Sequence, residues 1–82
     1  MKEIILYGHD RCPHCVHAKD WLGKNSIPFL MKDITINKEN ADEYRQYQEQ
    51  GVPLLIVKDL ENNTEAKILG FSPDAYAEKL GK

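Results

Sequence analysis

The chain has few cysteines, no long apolar run and no excess of charge of either sign. It is 82 residues long, with 2 cysteines and with 11 basic and 13 acidic residues that give a formal net charge of −2. The basic residues are scattered, so no stripe of positive charge is available for nucleic acid or an anionic membrane. No apolar segment approaches the ~20 residues of a membrane span or resembles the core of an export signal. We expect a cytoplasmic monomer whose partners are proteins or small thiols.

The two cysteines, Cys12 and Cys15, are too close in sequence to stabilise a small fold. A disulfide that closes a loop of about four residues removes little conformational entropy from the unfolded chain. The length allows one domain, residues 1–82, with one modest core. The cysteine pair is therefore predicted to be catalytic or metal-binding.

Apolar runs and helix signals alternate along the chain. The runs predict strands at residues 4–6, 29–34, 54–57 and 66–69. A first helix is predicted from Pro13, with Cys15, Ala18 and Leu22 on its buried face, ending before Asn25.

Two further helices complete the pattern. One is predicted to begin at Asn40, which has capping-box spacing to Glu43, and to end before Gly51. Ser72-Pro73-Asp74 announces the other. The order strand, helix, strand, helix, strand, strand, helix makes the first two strands parallel and the last two an antiparallel hairpin. The predicted fold class is α/β, with a four-stranded mixed sheet flanked by three helices.

This order is that of a minimal thioredoxin fold, and three local motifs sharpen the likeness. The tetrad Cys12-Pro13-His14-Cys15 follows the first strand, Val52-Pro53 precedes the third, and a turn containing Gly70 follows the fourth. Together they resemble glutaredoxins over nearly the whole chain. The resemblance implies a dithiol–disulfide oxidoreductase that reduces protein or glutathione mixed disulfides, with no bound cofactor and with glutathione as co-substrate.

The position of Cys12 at a helix start favours its thiolate. As the N-cap residue its sulfur would face free N–H groups and the positive end of the helix dipole, and Arg11 and His9 add positive charge nearby. Cys12 is therefore the predicted nucleophile. Cys15, one turn into the helix and facing the core, is the predicted resolving thiol.

Two residues between the cysteines are expected to tune the pair. The ring of Pro13 fixes φ at the helix start, where its missing N–H costs nothing. His14, when protonated, would stabilise the Cys12 thiolate and make the disulfide more oxidising. The same tetrad occurs in the oxidant DsbA, whose inserted domain does not fit in this length. We expect a potential in the glutaredoxin range of about −200 to −230 mV, or somewhat higher.

Val52-Pro53 is the second predicted part of the site. In the family this proline is cis and lies beside the cysteines, where the preceding backbone can pair with an extended thiol substrate. This chain has Gly51 where the family usually has threonine. Taken alone, Gly-Val-Pro is also typical of a helix end followed by an edge strand.

The reductant is the open question. Glutathione-using glutaredoxins usually have a lysine and a tyrosine where this chain has His9 and His14. Residues 70–74 instead resemble a segment of redoxins that donate electrons to ribonucleotide reductase and are recycled by thioredoxin reductase, although Ile68 stands where these usually have tryptophan. We favour glutathione, because a CPxC motif after Tyr7 is the more widespread glutaredoxin form. The candidate substrate or glutathione contacts are His9, Val52, Pro53, Gly70, Phe71, Ser72 and Asp74.

Two other classes of function were weighed against this reading. Zinc bound by the cysteines with His9, His14 or His17 is disfavoured, since no second ligand pair exists elsewhere and the helix start would be lost. A non-catalytic thioredoxin-fold module, or an iron–sulfur carrier, stays an alternative because one fold hosts many functions. The intact dithiol favours the enzyme.

Overall fold

The computed structural model describes residues 2–81. Strands and helices alternate in the predicted order. In chain order they are β1 (Lys2–Gly8), α1 (Pro13–Lys24), β2 (Leu30–Asp33), α2 (Lys38–Gln46), β3 (Leu54–Asp59), β4 (Thr64–Leu69) and α3 (Pro73–Leu80). Within the described residues, no helix has the length and apolar character needed to cross a membrane.

The sheet has the strand order β2-β1-β3-β4. β1 pairs in parallel with β2, and β3 pairs antiparallel with both β1 and β4, which confirms the predicted mixed sheet with three helices. Tyr7, near the end of β1, is the register partner of Leu54, the first residue of β3. The loop after β1 and the segment before β3 therefore lie next to each other, at the same end of the two central strands.

The core lies on both faces of the sheet, because successive side chains of β1 point to opposite sides. Ile4 and Leu6 belong to a buried cluster with residues of α1 and α3. Ile5 and Tyr7 belong to a second cluster, against which Tyr44 of α2 packs. Helices α1 and α3 thus cover one face and α2 covers the other.

The first helix follows its prediction closely. Pro13 is its first residue, Asn25 is its C-cap, and the predicted face of Cys15, Ala18 and Leu22 is fully buried. The third helix is capped by Ser72, whose hydroxyl accepts the Ala75 N–H at 3.4 Å.

The predicted start of the second helix at Asn40 is wrong. The N-cap is Asn37, whose Oδ1 accepts the Asn40 N–H at 3.1 Å, so α2 begins at Lys38. The Asn40 side chain instead donates to the Asp33 carbonyl at 3.1 Å. Glu43, the supposed partner in a capping box, accepts hydrogen bonds from Tyr7 and Lys32.

Candidate active site

Cys12 forms the N-cap of α1. Its backbone is extended, with φ −92° and ψ 115°, and its Sγ accepts the Cys15 N–H at 3.3 Å. The residue is partly exposed. The structure therefore places the Cys12 sulfur at the N-terminus of α1, where it is partly accessible.

Cys15 lies beneath Cys12 in an opposite environment. It is a free cysteine with 0% of its surface exposed. Burial, followed by the hydrogen bond with Cys12, raises the pKa of the Cys15 thiol to about 11, although the His9 backbone acts in the opposite direction. A thiol with this pKa is protonated at neutral pH.

The segment before β3 forms the second wall of the site. The Val52–Pro53 peptide bond is cis, as the resemblance implied, and Pro53 is buried. The Val52 carbonyl accepts a hydrogen bond from Cys12 Sγ at 3.8 Å. On the other side the Pro53 carbonyl accepts the Gly70 N–H at 2.8 Å. The segment before β3 and the turn after β4 are thereby joined next to Cys12.

The segment from Gly70 to Asp74 leads into α3, and several of its residues have structural contacts. The Phe71 ring packs edge-on against Tyr76, with centroids 5.4 Å apart, and stacks on His17 at 6.3 Å and 20°. Ser72 caps the helix and Asp74 lies in its first turn. The stack links α1 to this segment. Sequence reasoning missed this contact, because His17 and Phe71 are far apart in the chain.

A cavity of about 520 Å³ lies beside the loop that precedes Cys12. Its lining includes His9, Asp10 and Arg11 from that loop and Asp33 with Ile36 from the end of β2 and beyond. The Nδ1 atom of His9 is buried and, among residues 2–81, has no hydrogen-bond partner. Hydrogen bonds from Thr35 hold the pKa of Asp33 below its ordinary value. The cavity therefore presents two carboxylates and one guanidinium.

His14 is exposed on the outer side of the helix start, between the two cysteines. Among residues 2–81, no three His, Cys, Asp or Glu side chains are grouped as metal ligands would be. The absence of a bound metal stays a prediction.

A partly exposed cysteine at a helix start, a buried cysteine one turn later and a cis proline beside them define the site of a thioredoxin-fold redox protein. The described fold superposes on NrdH-redoxin from Escherichia coli with a TM-score of 0.76, at 24% identity over 93% of this chain and 92% of that one. The glutaredoxin grx-1 from Archaeoglobus fulgidus gives 0.77, at 19% identity over 100% and 89%. Glutaredoxin 1 from Francisella tularensis gives 0.69, at 25% identity over 100% of both chains.

The sequence comparison supplies the family. The Glutaredoxin family model matches residues 4–60, which include both cysteines and Pro53. The chain belongs to the glutaredoxin family, and thiol redox chemistry is the function that this membership supports. No curated protein gives a significant match.

Proposed function

We propose that this protein is a cytoplasmic, monomeric dithiol oxidoreductase that reduces protein disulfides and glutathione mixed disulfides, with Cys12 as nucleophile and Cys15 as resolving thiol. The observation that supports it is the contrast between the two sulfurs. Cys12 is partly exposed and accepts the Cys15 N–H at 3.3 Å, whereas Cys15 is fully buried. In this proposal the Cys12 sulfur is accessible to a substrate, whereas the Cys15 sulfur can react only with Cys12.

The reaction follows in two exchanges. The Cys12 thiolate attacks one sulfur of the substrate disulfide, a mixed disulfide forms, and the first substrate thiol leaves. Cys15 then gives up its proton and attacks Cys12 Sγ, which releases the second substrate thiol and leaves a Cys12–Cys15 disulfide. Two electrons have passed to the substrate, and two thiols of a reductant must restore the pair.

The substrate cleft in this proposal lies between Cys12 and the segments on either side of Pro53. Val52 is partly buried and its carbonyl already faces Cys12 Sγ at 3.8 Å. An extended substrate chain would pair with the Val52 backbone, while Gly70 and Phe71 border the other side. Arg11 adds positive charge at the rim, His14 is exposed beside it, and Pro13 stiffens the helix start.

Glutathione is the proposed reductant. Its carboxylates would be held by the N-terminus of α3 with Ser72 and by His9, and its ammonium group by Asp74. We expect Asp74→Asn to raise the KM for glutathione several-fold, since the charge pair is lost. Glu78→Gln, an exposed change on the same helix, is the matched control. Equal KM values for the two variants would remove Asp74 from the glutathione site.

Recycling by thioredoxin reductase, with ribonucleotide reductase as electron acceptor, is the second candidate. The observation that favours it is Asp33 in the cavity beside His9, whose carboxylate would repel those of glutathione, whereas the carboxylate of Asp10 is paired with Lys19 at 3.2 Å. The resemblance of residues 70–74 to the corresponding redoxins points the same way.

The deciding experiment is NADPH oxidation with a small disulfide substrate. It is run once with glutathione and glutathione reductase and once with thioredoxin reductase alone. Activity only in the first establishes the glutathione route, and activity only in the second establishes the alternative. Failure in both, when the Cys12–Cys15 disulfide does form, identifies a non-catalytic module; iron–sulfur absorbance in an anaerobic preparation identifies a cluster carrier.

Variants of the two cysteines separate their roles. Cys12→Ser should abolish every turnover. Cys15→Ser should abolish reduction of protein disulfides but keep removal of glutathione from a mixed disulfide, because a second glutathione can resolve Cys12 directly. If Cys12→Ser stays active, or if both variants keep protein disulfide reduction, the assigned roles are wrong.

A further inference from the structure

Gly8, the last residue of β1, leaves a space that the sulfur of Cys15 occupies. A Cβ atom added to Gly8 would lie 2.6 Å from Cys15 Sγ and 3.3 Å from Cys15 Cβ. On another side it would meet the Met31 Cε at 3.8 Å. Two non-bonded carbon and sulfur atoms do not approach to 2.6 Å, so the sulfur has its position only because residue 8 has no side chain.

The backbone of Gly8 is held in the sheet and cannot move away from this contact. Gly8 is buried and pairs with Asp33 of β2, and its carbonyl accepts the Ile34 N–H at 3.0 Å. Cys15 is fully buried on the face of α1 that packs against the sheet. Relief of a clash would therefore displace the Cys15 sulfur away from β1, toward the helix start where Cys12 lies.

Disulfide formation brings the same sulfur and that of Cys12 together. When glutathione disulfide oxidises the pair, two S–H bonds and the glutathione S–S bond break, one S–S bond joins Cys12 to Cys15, and two glutathione molecules carry away both electrons and both protons. The two cysteine sulfurs must close to about 2.05 Å. Because Cys12 lies at the helix start and Gly8 lies in the sheet, any movement of the Cys15 sulfur during closure takes it away from the space beside Gly8.

We propose that Gly8 is a positioning residue that sets the dithiol–disulfide equilibrium: the space beside it holds the Cys15 sulfur in the dithiol form and so favours that form. The inference rests on the proposed redox function of the pair. A side chain at position 8 would crowd the dithiol and leave the disulfide less affected.

The test is a titration of the folded protein in glutathione buffers of defined ratio. Gly8→Ala should raise the equilibrium constant for disulfide formation about tenfold, because overpacking of a buried site destabilises the dithiol form. The two-electron relation converts tenfold to a potential about 30 mV more negative. Gly23→Ala is the control, since a Cβ there meets nothing within 4 Å and the substitution is otherwise identical.

A second measurement keeps the test decisive if Gly8→Ala is unstable. Unfolding by urea is compared for Gly8→Ala in the dithiol protein and in a Cys15→Ala background, where the sulfur is absent. Gly8→Ala should cost more stability when the sulfur is present. An unchanged or less negative potential, or an equal stability cost in both backgrounds, overturns the inference. A wild-type protein that never forms the disulfide overturns instead the proposed function on which the inference rests.

Discussion

The hydroxyl of Tyr44 forms hydrogen bonds with both the N–H and the carbonyl of Gly51. The Gly51 N–H donates to Tyr44 Oη at 2.7 Å, and the Tyr44 hydroxyl donates to the Gly51 carbonyl. Gly51 has φ +134°, a conformation that strongly favours glycine, and it directly precedes Val52. Because the Val52 carbonyl faces Cys12, α2 is connected through the Tyr44 hydroxyl to the segment beside Cys12.

Removal of the Tyr44 hydroxyl should loosen the segment around Gly51 without disturbing the core. Tyr44→Phe keeps the ring, whose centroid lies 6.2 Å from that of Tyr7, but loses both bonds to Gly51. We expect a loss of about 1 kcal/mol in the free energy of unfolding and faster hydrogen exchange at the Gly51 amide. Tyr47→Phe is the control: it removes the hydroxyl of another tyrosine whose ring packs on Tyr7, with centroids 5.8 Å apart. The prediction is wrong if exchange at Gly51 responds equally to both changes.

The stability of the reduced protein should fall in alkaline solution. Burial raises the pKa of the Cys15 thiol from an ordinary value of 9.0 to about 11. The folded state therefore holds this proton more tightly, and the associated stability is complete below pH 9 and is lost as the pH rises to about 11. Its size is on the order of 2 kcal/mol.

The check is urea denaturation between pH 8 and pH 11 under reducing conditions, for the wild type and for Cys15→Ala. Burial raises the pKa of Tyr7 and of Tyr76 in both proteins, and the charge of Cys15 raises the pKa of Tyr76 further in the wild type alone. The difference between the two proteins thus reports the ionisation of Cys15 together with its effect on Tyr76. Parallel profiles for the two proteins would contradict the assignment.

In acid, Glu43 should contribute a separate loss of stability. Hydrogen bonds from Lys32, at 2.6 Å, and then from Tyr7, at 3.0 Å, hold the pKa of Glu43 below its ordinary value of 4.5. Its contribution is present above pH 4.5 and is lost as the pH falls below that value. Glu43→Gln should flatten the profile of unfolding free energy in this range, whereas the exposed Glu78→Gln should not. Identical profiles of unfolding free energy against pH for the two variants would refute this role of Glu43.

The start of α2 gives a direct test of the corrected cap. Asn37→Ala removes the oxygen that accepts the Asn40 N–H and should cost about 1 kcal/mol in unfolding free energy. Asn37→Asp keeps an acceptor and should be close to neutral. Asn40→Ala loses the bond to the Asp33 carbonyl but keeps the cap. A cap at residue 40 would reverse the outcome, with amide exchange in the first turn of α2 faster in Asn40→Ala than in Asn37→Ala.

How far the sequence predicts this molecule depends on whether the signals are local. The start of α1 is encoded within four residues, since a capping cysteine and a proline suffice, and the predicted buried face followed from helical spacing. The start of α2 was misplaced because Asn37 and Asn40 both suit an N-cap. Glu43 cannot complete a capping box with Asn40, because it accepts hydrogen bonds from Lys32 and Tyr7 on neighbouring strands. No local sequence pattern reveals those partners.

The candidate site shows the same division. The cysteines, with Pro53, are recognisable as motifs, and the structure brings them together. The roles of Gly8 and Tyr44 were missed, because one depends on a space in three dimensions and the other on a contact between a helix and a loop. The glycine that follows the first predicted strand, shortly before the cysteine tetrad, was the signal that could have suggested the first.

The pairing of Tyr7 with Leu54 has a consequence for how this protein tolerates change in chain length. One residue inserted within β1 or at the start of β3 would shift the alignment of the two strands and turn each buried side chain toward the wrong face. The hairpin that Asp59 and Thr64 close lies at the opposite end of the sheet, with an exposed Leu60. Residues can therefore be inserted into that hairpin, for example as an affinity tag, without a change in the distance between Cys12 and Pro53.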